Sequence, residues 1–254
     1  MVTFIPAGRM GNYLFELATV ISYSIKHNLA FTAPFETSNE KWSPIYLRHL
    51  QDNDYNPHLE KVELLEATHE YQEIPFNEGW QHQKNIFIMG YRQSEKYFIE
   101  HRDEILYLFD FPFGCNPIIS LHARFGDYLT VKDASGKMKH VIVDEGYIND
   151  AIKLVKEKTG LERVKVFSDD LEYFKTNFGH LYHFEYSTNT SEYDDIAEMS
   201  TCHSHINSSS TFSWWGSWLN RNKNKVIVTQ KDWFNDNWMG LNTEDIVPNN
   251  WIKI

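Results

Sequence analysis

The sequence is poor in cysteine, carries no excess of positive charge and has no long apolar run. Its 254 residues include 2 cysteines, Cys115 and Cys202, which are too few for a disulfide framework. Both lie in apolar stretches, so we expect buried free thiols and a reducing compartment. The net charge of −11 argues against a broad nucleic-acid-binding surface, although one local basic pocket could still bind a single anion.

Segments that target a chain to a membrane are also missing from the sequence. Residues 1–6 have neither a basic stretch nor a long apolar stretch, so no signal peptide is predicted. No run approaches the ~18 apolar residues of a membrane-spanning helix. We therefore expect a cytoplasmic protein with no transmembrane segment, which leaves a peripheral position at the inner face of the membrane open.

The composition is that of a globular protein with many aromatic residues. Hydrophobic residues make up 42% and charged residues 23% of the chain, which excludes a disordered class. Aromatic residues reach 15%, with 8 Trp and 14 Tyr. Sugar-binding proteins often have this composition, but an aromatic core explains it more simply.

Alternating strand and helix patterns predict an α/β fold. The chain begins with a strand over 2–5, a glycine turn and a helix over 13–26. Prolines and glycines at 110–117 suggest a boundary between domains 1–112 and 113–254, with the last ~20 residues able to pack back on the first domain. Further strands are expected at 85–91, 118–122, 164–168, 181–184, 203–207 and 226–228, and helices at 94–109, 147–158, 170–177, 192–200 and 212–219. This order favours a parallel sheet with helices on both faces.

The first candidate site is His122-Ala123-Arg124-Phe125-Gly126-Asp127-Tyr128, which directly follows a predicted strand. Ligands of open α/β sheets bind at the carboxyl ends of strands. His122 and Arg124 are two residues apart and can point the same way, and an arginine binds phosphate with a planar fork. A surface Arg124–Asp127 pair beside a core histidine explains the pattern about equally well.

Two more candidates follow later strands. Ser208-Ser209-Ser210-Thr211-Phe212 opens a helix, where hydroxyl and N–H groups can bind phosphate. The alternative is a multiply capped helix with Trp214 and Trp215 in the core. Asp169 and Asp170 follow the strand over 164–168 and could bind guanine or ribose, or simply cap the next helix.

These segments resemble those of the α1,2-fucosyltransferases, glycosyltransferase family 11. His122–Tyr128 is similar to their H-x-R-R-G-D-Y element, and Phe167–Asp170 to F-S-D-D. Ser209–Trp215 is similar to N-S-S-F-S-W-W, and Gly8–Phe15 to G-G-L-G-N-Q-M-F. The four elements occur in the family's order and extend over most of the chain.

The resemblance implies a GT-B fold, in which two Rossmann-like domains enclose the active site in a cleft. Domain 1–112 would then lie on the acceptor side, and domain 113–254 would bind the GDP-sugar. It implies a bacterial inverting enzyme of glycan biosynthesis that moves L-fucose from GDP-β-L-fucose to a galactoside hydroxyl of an oligosaccharide in an α1,2 linkage, without a metal or other cofactor. Arg124 would bind the diphosphate, His122 the nucleotide, and Asp169 or Asp170 the guanine. The donor set is completed by Gly11, Asn12, Ser209, Ser210, Thr211 and Phe212.

Three positions depart from the family pattern. Phe125 replaces its second arginine, Ser209 an asparagine and Tyr13 a glutamine. Arg124, Asp127 and Asn12 are the expected catalytic residues, with Asp127 as candidate base, and His140 and Glu145 as weaker ones. A turn-stabilising ion pair is an equally good explanation of Asp127.

Other functions would use different residues. Asp52-Asn53-Asp54 has the spelling of a metal-binding D-x-D, and His203 and His205 could share a metal, although a core-facing pair is favoured. An O-fucosyltransferase acting on protein is the nearest other enzyme. A non-catalytic sugar-nucleotide-binding module would bind GDP-fucose without releasing GDP.

Overall fold

The computed structural model describes residues 1–34, 56–81, 83–132, 136–235 and 241–254. These residues divide into two units, each with its own parallel sheet. The first unit comprises residues 1–111 and 241–248, and the second comprises residues 112–240 and 249–254. The fold is therefore mixed α/β with parallel sheets, as predicted.

The first unit has a three-stranded sheet in the order β1-β3-β2, and both strand pairs are parallel. Its elements are β1 (Val2–Thr3), α1 (Met10–His27), β2 (Glu60–Leu64), β3 (Lys84–Ile88) and α2 (Arg102–Phe109). The helix α1 confirms the prediction for this segment, and residues 13–24 within it are all buried. It ends at Asn28 in the left-handed conformation (φ 52°), which supplies N–H groups to the last carbonyl groups of the helix.

Two expectations for this unit are wrong. The strand predicted over 85–91 ends at Ile88, because Gly90 (φ 99°) adopts a backbone conformation that a strand excludes. The helix predicted over 94–109 begins as two short 3₁₀ turns, and only α2 is α-helical. In the first turn, the side chain of Ser94 accepts a hydrogen bond from Lys96 N, as its predicted capping role requires.

The second unit has a six-stranded, all-parallel sheet in the order β6-β5-β4-β7-β8-β9. Its strands are β4 (Asn116–Ala123), β5 (Val164–Ser168), β6 (Phe184–Tyr186), β7 (Cys202–Asn207), β8 (Ile227–Thr229) and β9 (Ile252–Lys253). Its helices are α3 (Glu145–Thr159), α4 (Leu171–Phe178), α5 (Glu192–Thr201) and α6 (Thr211–Leu219). The central strands and the inner faces of α3 and α4 form the main core.

Three details of this unit differ from the sequence-based expectation. The strand predicted at 181–184 is shifted to Phe184–Tyr186, because Leu181 and Tyr182 pack on the core from a turn. The strand β9 has no strong pattern and was not predicted. Cys202 is buried and free, but Cys115 is exposed, so the expected burial holds for only one thiol.

Candidate functional site

Polar side chains gather in the second unit where its parallel strands end. Arg124 follows β4, Asp169 follows β5, Ser208 follows β7 and Gln230 follows β8. Because carboxyl ends of parallel strands share one edge of the sheet, these residues occupy the usual ligand position of an open α/β sheet. The structure thus brings three of the predicted segments together and adds Gln230.

Arg124 holds the charged centre of this edge. Its Nε and Nη2 donate to Asp127 Oδ1 at 3.1 and 2.6 Å, and Nη1 lies 3.2 Å from Asp169 Oδ2. The guanidinium also lies over the ring of Tyr128, 5.7 Å from its centroid. The Arg124 side chain is 15% exposed, so the fork remains within reach of an anion that can compete with the carboxylates. The ion pair between Arg124 and Asp127, which the sequence analysis gave as an alternative to a catalytic base, is present.

Asp169, which follows β5, contacts the residues that follow β4. Its Oδ1 accepts the backbone N–H of Phe125 at 2.9 Å while Oδ2 meets Arg124. Gly126 is required for this approach, because a Cβ there would lie 2.3 Å from Asp169 Oδ2. Asp169 therefore supports the position of Arg124, whatever it contributes to guanine binding.

Phe125, the position that departs from the family pattern, belongs to the core. Its ring is fully buried and packs on Tyr173 and Phe178, with centroids 4.6 and 6.0 Å away. An arginine in this orientation would bury a charge among aromatic rings, at a high cost in free energy. Arg124 is consequently the one arginine of the 122–128 segment.

Two of the predicted donor-binding residues cap helices. Asp170 Oδ1 accepts the N–H of Tyr173 at 2.9 Å at the start of α4, and Ser210 Oγ accepts that of Phe212 at 3.3 Å at the start of α6. The capping alternative is correct for both, and Trp214 and Trp215 are buried in the core. The caps use only some of the polar atoms at these helix starts. Thr211 and Phe212, in the first turn of α6, are half-buried.

His122 is buried at the end of β4 and shares a 2.8 Å hydrogen bond with Ser208 through Nδ1 and Oγ. Burial, assisted by the charge of Arg124, lowers the pKa of His122 to about 3. The imidazole is therefore neutral at neutral pH and acts through hydrogen bonding. Its ring lies 5.3 Å from that of Phe212, so it joins β4 to the first turn of α6.

An aromatic stack continues from Arg124 into the predicted long loop. The rings of Tyr128 and His140 stack with their centroids 3.7 Å apart and 6° between their planes. The ring of His140 also contacts that of Phe234, with centroids 5.5 Å apart. Tyr128 donates its hydroxyl to Ser209 O at 3.0 Å. Burial, assisted by the charge of Lys139, lowers the pKa of His140 to about 4, which weakens it as a candidate base.

The 208–211 loop is also held by a residue that sequence reasoning missed. Gln230, which is buried after β8, accepts the backbone N–H of Ser209 at 2.9 Å. Ser209 Oγ in turn donates to Val141 O at 3.2 Å. No local pattern marks Gln230, and its position two residues beyond the strand predicted at 226–228 is the only signal that could have found it.

The remaining predicted residues belong to other elements of the chain. Gly11 and Asn12 belong to the first turn of α1 in the first unit, where Gln93 Nε2 donates to Asn12 Oδ1 at 2.9 Å. Glu145 is exposed in the first turn of α3. The D-x-D at Asp52–Asp54 lies outside the described residues.

Of the two histidines considered as a metal pair, only His205 faces the core as favoured, while His203 is half-buried and its Nδ1 pairs with Ser204 Oγ at 2.9 Å. His205 is fully buried and its Nδ1 pairs with Ser120 Oγ at 2.7 Å. Within the described ranges, no group of three or more His, Cys, Asp or Glu side chains could hold a metal ion. In the same ranges, no helix is both long and apolar enough to cross a membrane.

Comparison with known proteins identifies a family. The model of "Glycosyl transferase family 11" matches residues 1–254. An Escherichia coli protein, O-antigen biosynthesis glycosyltransferase WbnK, is 29% identical over 248 residues, 86% of this chain and 79% of its own. An Escherichia coli alpha-1,2-colitosyltransferase is 28% identical over 187 residues, 67% of this chain and 63% of its own.

Solved structures show the same fold. A crystal structure of POFUT1 in complex with GDP aligns with a TM-score of 0.53 at 12% identity, over 90% of this chain and 97% of that one. A second crystal form with GDP aligns with a TM-score of 0.51 at the same identity and coverage.

Proposed function

This chain belongs to glycosyltransferase family 11, and from that premise we propose that it transfers L-fucose from GDP-β-L-fucose to a galactoside hydroxyl of an oligosaccharide. As a family member it is a fucosyltransferase-like glycosyltransferase, so the alternative of a non-catalytic sugar-nucleotide-binding module is set aside. The proposal adds the donor, an α1,2 linkage with inversion, and independence of metal ions.

One observation carries the proposal. Arg124 at the end of β4 is linked through Tyr128 to the loop that begins α6 at the end of the neighbouring strand β7. A guanidinium and a helix N-terminus are the two features of a fold best suited to a diphosphate. Their joint position at one sheet edge supports a nucleoside-diphosphate sugar as donor.

The proposed mechanism follows from charge. Cleavage of the fucose–phosphate bond leaves GDP with additional negative charge and an electron-poor sugar. Arg124 exchanges its carboxylate partners for the diphosphate, and the N-terminus of α6 stabilises the same charge, which is the role a metal plays in other transferases. The acceptor hydroxyl attacks the opposite face of the sugar, and Asp127, once released from Arg124, is the proposed base.

A second donor is favoured by a specific observation. One relative is named an alpha-1,2-colitosyltransferase, so a related deoxysugar could replace fucose on GDP without a change in the diphosphate site. An O-fucosyltransferase activity on protein has less support, because both relatives are named for sugar or O-antigen transfer.

The test is a GDP-release assay with GDP-fucose and a panel of β-galactosides, followed by NMR analysis of the product linkage. We expect GDP release that depends on both substrates and an α1,2-linked product. GDP release with GDP-colitose but not with GDP-fucose would replace fucose by colitose in the proposal. Activity with a protein acceptor and no galactoside would contradict it.

A further inference from the structure

One edge of the sheet in the second unit takes no part in the donor chemistry. Because the strands are parallel, their amino ends form the edge opposite to the one that carries Arg124. The strand β4 separates the two edges by about 23 Å, at ~3.3 Å per residue. Two segments meet at the amino edge: residues 112–116, which lead into β4, and residues 220–225, which lead from α6 to β8.

Residues 220–225 form a basic segment in an acidic protein. Their sequence is Asn-Arg-Asn-Lys-Asn-Lys, and the surrounding residues 199–231 include no Asp or Glu, although the chain has 35 of them. Arg221 and Lys223 are exposed, and Lys225 is half-buried. The charge of this segment is therefore opposite in sign to the net charge of −11 of the whole chain.

The asparagines of this segment anchor it to the sheet. Asn220 Nδ2 donates to Cys202 O, and Asn222 Nδ2 donates to His203 O at 3.1 Å. Both acceptors lie at the start of β7. Because alternate residues are anchored in this way, the backbone holds the exposed cations at the amino edge of the sheet.

An exposed aromatic ring lies next to these cations. The guanidinium of Arg221 lies over the ring of Phe113, 5.2 Å from its centroid. Phe113 is 74% exposed, the highest value among the large hydrophobic side chains in the described part of the chain. The backbone beside it is packed on α5, because a Cβ at Gly114 would lie 3.3 Å from Thr201 Cβ and Asn116 Nδ2 donates to Thr201 Oγ1 at 3.0 Å. The fold therefore holds this ring in solvent.

Exposed cations beside an exposed aromatic ring match the surface of an anionic bilayer. Lipid phosphates attract Lys and Arg side chains, and an aromatic ring enters the boundary between head groups and acyl chains. The attraction acts within a Debye length of about 8–10 Å, so a local basic patch can bind although the whole chain is acidic. A long polyanion such as RNA is disfavoured, because it would extend onto acidic surface such as Glu157 and Glu162, near the start of β5 at the same edge.

We propose that Phe113, Arg221 and Lys223 form a membrane-docking surface, through which the enzyme binds anionic phospholipids. This surface would give the protein the peripheral position that its sequence leaves open. Docking by the amino edge turns the donor edge of the same sheet away from the bilayer, where a nucleotide sugar reaches it from solution. The inference does not depend on which sugar the enzyme transfers.

The test is sedimentation of the full chain with vesicles of phosphatidylcholine, either pure or with about a third of the lipid replaced by phosphatidylglycerol. We expect binding to the anionic vesicles only, and its loss when the salt concentration is raised from ~0.05 to ~0.5 M. In Arg221→Gln/Lys223→Gln, the partition coefficient should fall at least about tenfold. The matched control, Lys153→Gln/Lys175→Gln, removes the same charge from exposed positions on α3 and α4 and should bind like wild type.

The aromatic ring provides a second, independent variant. Phe113→Ser should lower the partition coefficient severalfold, whereas Phe113→Trp should preserve it. The melting temperature and GDP release from soluble substrates should stay at wild-type values in both, since Phe113 is exposed and lies far from the donor edge.

Three results would overturn the inference. The first is a wild-type protein that does not bind anionic vesicles, and the second is an equal loss of binding in the two double variants. The third is binding to RNA without binding to vesicles, which would assign the basic segment to a polyanion. Vesicle binding needs no catalytic activity, so a failure of the proposed function would be seen separately in the GDP-release assay.

Discussion

Two arginines follow parallel strands in this protein, and their partners differ. Arg124 follows β4 and meets two carboxylates, and its side chain is 15% exposed. Arg92 follows β3, is 2% exposed and donates to Leu64 O at 2.9 Å. A carboxylate can be exchanged for a phosphate, whereas a buried backbone carbonyl has no substitute partner. The partner, more than the position, therefore makes a strand-end arginine available for chemistry.

The largest expected effect is on activity, at Arg124. Arg124→Ala should be almost inactive while it stays folded. Arg124→Lys keeps the charge but loses the planar fork, and we expect at least a tenfold loss, roughly 1.4 kcal/mol, in kcat/KM for GDP-fucose. Steady-state GDP release measures this loss. Full activity of Arg124→Lys would mean that the diphosphate is bound elsewhere.

Asp127 tests whether the carboxylate partner also takes part in the chemistry. If it accepts the acceptor proton, Asp127→Asn should lower turnover by roughly 10²–10⁴-fold with little change in donor affinity. Rapid-quench kinetics and GDP binding separate the two quantities. Ordinary turnover together with a lower melting temperature would show that Asp127 is a turn-stabilising residue.

Arg92 should show the opposite pattern to Arg124. Arg92→Lys replaces the guanidinium that donates to Leu64 O and Tyr97 by a single ammonium group. We therefore expect the free energy of unfolding to fall by about 1–3 kcal/mol. That corresponds to a melting temperature lower by roughly 2–10 °C. The GDP affinity should be unchanged, as calorimetry can check. If Arg92→Lys lost GDP affinity without losing stability, the contrast between the two arginines would collapse.

Glu16 gives the smallest expected effect on activity, and its effect on stability depends on pH. Its pKa is raised to about 9 in the folded protein by burial, above the value of 4.5 for an exposed glutamate. The folded state therefore keeps a proton that the unfolded state releases, and this contribution to stability is present below pH 4.5 and lost as the pH rises toward 9. Glu16→Gln removes this dependence.

The expected result is a melting temperature clearly higher than wild type at pH 8 and nearly equal at pH 5. Thermal denaturation at both values provides the measurement. A destabilisation of equal size at both pH values would show that the carboxyl acts through its hydrogen bond from Ala7 N instead.

Sequence reasoning located the second unit better than the first. The strand β5 occupies the predicted residues 164–168, because an apolar run between a glycine and an Asp-Asp helix start leaves little choice. By contrast, β2 has only two apolar residues, Val62 and Leu64, and is largely exposed, so its pattern is weak. The α/β class was predictable because it depends on the order of elements rather than on their ends.

At the site, strand-end motifs located Arg124 and His122 but not their partners. The adjacent Asp169 and Asp170 are indistinguishable in sequence, yet one faces Arg124 and the other caps α4. The contacts of Tyr128 with Ser209 and of Gln230 with the same loop join distant parts of the chain. Only the fold determines such pairs, so no local pattern predicts them.

The central claim is that Arg124 and the N-terminus of α6 carry the charge of the departing diphosphate. The most direct measurement is GDP release from GDP-fucose, with an accepted galactoside, before and after treatment with EDTA. We expect the chelator to leave the rate of the wild-type enzyme nearly unchanged. A rate that is lost with EDTA and restored by Mn²⁺ would contradict it and would direct attention to Asp52 and Asp54.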